Sequence, residues 1–164
     1  MTGPVLARQS AARPVLHGPF VLDTNVALDL LVFDDPATRG LARLLECAAV
    51  SWLVTAAMRD ELERVLDYRH IAARLLSQGQ DGAGVLLHFD RLSQLHDAAA
   101  PAAIRCSDRD DQPFIDLAVA HHAVLLSKDH AVLRLHRRLL VVGAGAWSPR
   151  ADWPVSAGAA AVGY

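Results

Sequence analysis

The chain is poor in cysteine, lysine and aromatic side chains, and each shortage closes off something. Two cysteines, Cys47 and Cys106, are too few for a disulfide framework or a cysteine-built zinc site. Both stand among apolar neighbours and read as reduced thiols packed inside a cytoplasmic protein. Lys128 is the single lysine; the other 15 of 16 basic residues are arginine. At a net charge of −2 no broad basic surface announces nucleic acid. A local patch can still bind phosphates on a neutral protein. The three tryptophans, Trp52, Trp147 and Trp153, are too scattered for a base-stacking platform. No apolar stretch approaches the about 20 residues that a membrane-spanning helix needs, so no membrane partner is expected. The opening residues hold no continuous apolar segment of the signal-peptide kind.

What is present is apolar material: 52% of 164 residues, enough for the core of one domain. Residues 1–18 read as a flexible lead-in, 19–147 as the domain, and 148–164, rich in Ala, Gly and Pro, as a flexible tail. Residues 19–23 read as a short strand, apolar on both faces like a parallel strand covered by helices. A helical stretch follows, then a helix over 37–49 and a strand over 50–54. Thr55 stands where a cap belongs, ahead of a helix with Met58, Leu62, Val65 and Leu66 on one face. Two more helices are expected at about 70–78 and 84–97, and a short strand around 103–105. A helix with Pro113 in its first turn comes next. A strand at 123–127, a helix over 129–138 and a last strand at 139–144 complete the pattern. Alternating strands and helices imply an α/β fold, a parallel sheet between helices.

The carboxylates fall at telling places. In open α/β sheets, ligands bind beyond the carboxyl ends of the strands. Asp23 follows the first strand, and Asp129 follows the strand at 123–127. Asp108, Asp110 and Asp111 crowd the loop before the helix that precedes that strand. Glu61 lies two turns into the helix after the second strand; Glu63 is about 200° away around that helix. Gathered carboxylates repel each other unless they hold protons or share a cation. All-oxygen ligands suit Mg²⁺ or Mn²⁺. Such an ion can activate a water against a phosphodiester, with no Ser or Cys nucleophile required. The plainer reading of any one of these acids is a helix cap, because Asp23, Asp111 and Asp129 each precede a helix.

At these residues the sequence resembles a PIN domain, in particular the branch of toxin components of bacterial toxin–antitoxin pairs. The likeness runs over about 20–142. "VLDTN" matches the opening motif, with Asp23 as the first acid. "VTAAMRDELERVL" matches the segment of the second, placed at Glu61 rather than Glu63. "CSDRDDQPFIDLAVAHHAVLLSKD" matches the acid-rich stretch, helix, strand and turn, with Asp111 as the third acid and Asp129 as the fourth. Asp108 matches a further acid of this branch and joins the metal set. The departures are Ser127 for Thr, Arg109 where Pro is common, and Gln112 and Pro113 for an acidic and basic pair. The resemblance implies a three-layer α/β/α sandwich with about five parallel strands. It also implies a catalytic set of Asp23, Glu61, Asp111 and Asp129, and Mg²⁺ or Mn²⁺ held by these and Asp108. Its expected activity is hydrolysis of single-stranded RNA by metal-activated water. Its expected partners are a small cognate antitoxin protein and a second copy of the chain.

Lys128 and Arg134 are the candidate contacts to RNA phosphates, with Arg137 and Arg138 as an outer rim; a solvated face is the plainer alternative. His121 and His122 form no helical zinc motif. "GAGAW" (143–147) follows the last expected strand with no helix after it, so it is no dinucleotide loop. Two other functions compete. One is a non-catalytic PIN-like module that binds RNA or protein. The other is a phospho-accepting receiver, which needs paired acids after the first strand, where Thr24 and Asn25 stand instead.

Overall fold

The computed structural model describes residues 16–151 and 155–156. Five parallel strands form the central sheet: β2 (Phe20–Leu22), β3 (Trp52–Thr55), β4 (Ser93–His96), β5 (Val124–Leu126) and β6 (Gly145–Trp147), in the order β4-β3-β2-β5-β6. Phe20, Val21 and Leu22 are buried, as a strand covered on both faces requires. Phe20 pairs with Trp52 on one side and Val124 on the other. A separate parallel pair joins β1 (Leu16–His17) to β7 (Val155–Ser156). The rest of the expected lead-in and most of the expected tail lie outside the described residues.

Helices cover the sheet. From β2 the chain enters α1 (Thr24–Leu28), which runs into a π-helical turn, Asp29–Phe33, ended by left-handed Asp34. Then come α2 (Arg39–Glu46), α3 (Ala56–Leu66), α4 (Arg69–Ser77), α5 (Gly82–Leu92), α6 (Gln112–Ala120), α7 (His130–Leu133) and α8 (His136–Val141). The Thr55 hydroxyl accepts the Met58 N–H and starts α3, whose Met58, Leu62 and Leu66 are buried at a four-residue spacing. Trp52 meets Phe89 of α5 edge to face at 4.9 Å. Among the described residues no helix is long and apolar enough to cross a membrane.

Four local expectations are corrected. The helix expected to reach 97 stops at Leu92, and Ser93–His96 pairs with all of β3 as the edge strand. Its side chains are only partly covered, with Leu95 69% exposed, so the segment lacks the apolar signature of a buried strand. Residues 103 and 104 make bends and 105 has no regular structure, so no strand forms there. The last strand is Gly145–Trp147, not 139–144, because α8 buries Leu139 and leaves Leu140 and Val141 exposed, a one-sided helical pattern. Gly143, at φ 78°, then turns the chain into β6. Cys47 is exposed rather than packed inside, and Cys106 is half-buried.

From β2 the chain works outward through β3 to β4, then crosses back to β5 and outward again to β6. The carboxyl ends of β2 and β5 therefore flank the point where the winding reverses. In doubly wound sheets that crevice receives the ligand.

Candidate functional site

Asp23 is the first residue beyond β2 and only 5% exposed. Its N–H donates to the Leu126 carbonyl at 3.0 Å, tying it to β5. Its Oδ1 accepts the Val26 N–H at 2.8 Å, so it does cap α1. Burial raises its pKa; hydrogen bonds from the Ser127 side chain and the Val26 and Lys128 N–H groups, and the Lys128 charge, oppose that rise. Beyond β5, Ser127 is fully buried, and its Oγ accepts the Asp129 N–H at 3.0 Å. Asp129 itself is exposed and caps α7 through the Ala131 N–H at 2.6 Å.

Asp111 behaves differently. It occupies the N-cap position of α6, yet its backbone is helical and its side chain makes no cap hydrogen bond. Its Oδ2 is buried without a hydrogen-bond partner. Its pKa is pushed up to about 6, first by burial, then by the charges of Asp129, Asp108, Asp23 and Asp110. The structure thus brings Asp23, Asp108, Asp111 and Asp129 into one electrostatic neighbourhood. Asp108 also braces its own turn, accepting the Asp110 N–H at 2.9 Å. Glu61 is half-buried on α3 and is not among the leading charges acting on Asp111. Glu63 is exposed and 3.8 Å from Arg59.

The two candidate cations are already engaged. Lys128 Nζ lies 2.5 Å from Asp29 Oδ2. Asp29, 8% exposed in the π-helical turn, was not singled out from the sequence, although it is an isolated acid in an apolar helical stretch. Arg134 is exposed, with Nη2 3.5 Å from Ser107 Oγ on the loop that carries Asp108.

That loop is held by Gln112, a second residue that sequence reasoning passed over as a mere departure. Gln112 Oε1 accepts the Cys106 N–H at 2.8 Å, and its Nε2 donates to the Ile104 carbonyl at 3.0 Å and to Asp116 Oδ1 at 2.8 Å. Asp116 Oδ1 also accepts the Ala102 N–H at 2.8 Å. The loop ahead of Asp111 is thereby clamped to α6.

The donor set fits a hard divalent cation. A buried carboxylate oxygen without a partner and acted on by the charges of other acids is costly, and a cation relieves that cost where a neutral donor is missing. Among the described residues no three His, Cys, Asp or Glu side chains form a ready-made cage. Mg²⁺ needs none, since it keeps several waters and takes one or two carboxylates directly. A separate cavity of about 440 Å³, lined by Pro19, Ser51, Gln94 and His121 among others, lies at the opposite, amino-terminal ends of the strands.

Fold and site together define a doubly wound α/β domain with acidic side chains acting on one another near its switch point. The chain belongs to the PIN domain family, whose sequence model matches residues 19–131. PIN domains are generally nucleases, which implies nucleic-acid binding. No curated protein matches the chain.

Proposed function

We propose that this chain is a metal-dependent endoribonuclease that hydrolyses RNA phosphodiester bonds. The observation that carries it is Asp111 Oδ2, buried without a partner among Asp23, Asp108 and Asp129. Asp23, Asp108, Asp111 and Asp129 would hold Mg²⁺ or Mn²⁺, with Glu61 completing the set from α3. When bound, such an ion supplies Lewis-acid chemistry, lowering the pKa of a water and offsetting charge that builds on a phosphate. The protein's own part is placement. Ser127 fixes Asp23 against the turn that carries Asp129. Without a cation, the Asp111 carboxyl keeps its proton up to about pH 6. Lys128, paired with Asp29 and near enough for its charge to act on Asp23, would offer a point charge to a phosphate oxygen. Arg134 offers a second cation at the rim.

The test is cleavage of a labelled single-stranded RNA with Mg²⁺ or Mn²⁺. EDTA is expected to abolish it, and Asp23→Asn or Asp111→Asn to lower kcat at least about 100-fold, as losses of charge stabilisation do. Full activity in either variant would overturn the assignment. If the chain is instead a non-catalytic binding module, calorimetric titration with Mn²⁺ will find no specific site. The cellular role we propose is that of a cytoplasmic toxin, homodimeric and restrained by a small cognate antitoxin. Co-purification with a small protein encoded next to it, and loss of cleavage on adding that protein, are the expected results.

A further inference from the structure

We propose that the groove lined by Arg105, Cys106, Arg109, Gln112, Pro113 and Asp116 is a subsite for backbone phosphates of single-stranded RNA, flanking the bond that is cut. This rests on the nuclease reading and extends it to residues outside the acidic pocket. The groove encloses about 530 Å³, within the range of sites that take small molecules. Arg105 and Arg109 are exposed. Arg39 and Arg59 are each paired with a carboxylate, but neither groove arginine is in an ion pair among the described residues. The one acid lining the groove, Asp116, already accepts two hydrogen bonds from the loop and Gln112. Two forked guanidiniums without partners are suited to phosphate oxygens.

Placement is the stronger argument. The Gln112 side chain holds the backbone on both sides of Arg105, through the Ile104 carbonyl and the Cys106 N–H. The Gln112 N–H donates to the Arg109 carbonyl at 3.2 Å. One residue therefore fixes the backbone that carries both arginines, and less ordering is left for the ligand to impose. The same loop carries the acids: Arg109 stands between Asp108 and Asp110. Its Cα lies at most about 7 Å from that of Asp111 by chain geometry.

The experiment is an anisotropy titration of a fluorescent ten-nucleotide RNA in EDTA across a salt series. It compares wild type, Arg105→Gln/Arg109→Gln, and a control of equal charge change on α4, Arg69→Gln/Arg74→Gln. The groove variant is expected to weaken binding about tenfold and to reduce the log–log salt slope by about 1.4, two single-strand phosphate contacts. The control should stay within about twofold. With Mn²⁺ present, the groove variant should raise KM and leave kcat unchanged, as lost uniform binding does. Unchanged affinity and slope in the groove variant, or an equal loss in the control, overturns the subsite. Failure of the underlying reading looks different: wild type then binds RNA with the expected groove dependence but does not cleave it with either metal.

Discussion

Asp23 and Asp129 each give one carboxylate oxygen to a helix N-terminus, whereas Asp111 gives none. That difference sets the expected behaviour of substitutions. Asp23→Asn keeps an oxygen for the Val26 N–H and should fold normally while losing activity. Asp23→Ala also loses the cap, at about 1 kcal/mol in chemical denaturation. Asp111 sets a pH dependence. Its folded pKa is raised from 3.8 to about 6, so protons bind the folded state more tightly than the unfolded chain. The resulting stability is fully present below the unfolded value and is lost as pH rises through about 6. The raised pKa of Asp23 adds in the same direction. The Tm of the metal-free protein should therefore fall between about pH 4 and pH 7. Asp111→Asn should flatten this trend and raise Tm at pH 7 by about 2–4 °C, the span of roughly 1 kcal/mol in a chain of this size. A Tm profile that is the same in Asp111→Asn and wild type would remove the burden assigned to this carboxyl.

Between elements, the decisive join is that of α6 to the loop before it. Gln112→Ala removes three side-chain hydrogen bonds and leaves the half-buried Asp116 with fewer donors. A loss of about 1–3 kcal/mol is expected, together with faster amide exchange confined to the loop over 101–111. This join was not legible in the sequence, because Gln112 lies six and eight positions from its loop partners and no periodicity links them. What was legible came from burial. Phe20-Val21-Leu22 and Val124-Leu125-Leu126 are apolar on both faces, so their strand character and parallel setting followed directly. Asp23 and Asp129 were legible as acids just beyond those strands, whereas Asp111, in the loop before α6, was singled out only through the resemblance. The edge strand Ser93–His96 stayed hidden because its half-exposed side chains alternate with nothing. The last strand was placed early because Leu139 to Val142 is apolar enough for a sheet, and only one-sided burial shows it to be a helix. Asp29 lies in the helical stretch after the first strand, and its pairing with Lys128 depends on contact between segments about 100 positions apart, beyond any local pattern.

At the scale of the molecule, the acids come from opposite ends of the matched region, and the fold holds them against their own repulsion. A cation at the pocket should therefore stabilise the whole domain. Mn²⁺ at 100 times its Kd is expected to add about 2.7 kcal/mol. Scanning calorimetry should show this as a rise in wild-type Tm of roughly 5–10 °C, absent in Asp111→Asn. The same measurement with Arg105→Gln/Arg109→Gln should match wild type, since the groove lies outside the acid set. The buried hydroxyl of Ser127 carries one more consequence. It is hydrogen-bonded to Asp23 and to the amide of Asp129 at once, so the positions of two acids are tied through one side chain. Removing that hydroxyl, as in Ser127→Ala, should loosen Asp23 and Asp129 together while the loop clamped by Gln112 stays as it is.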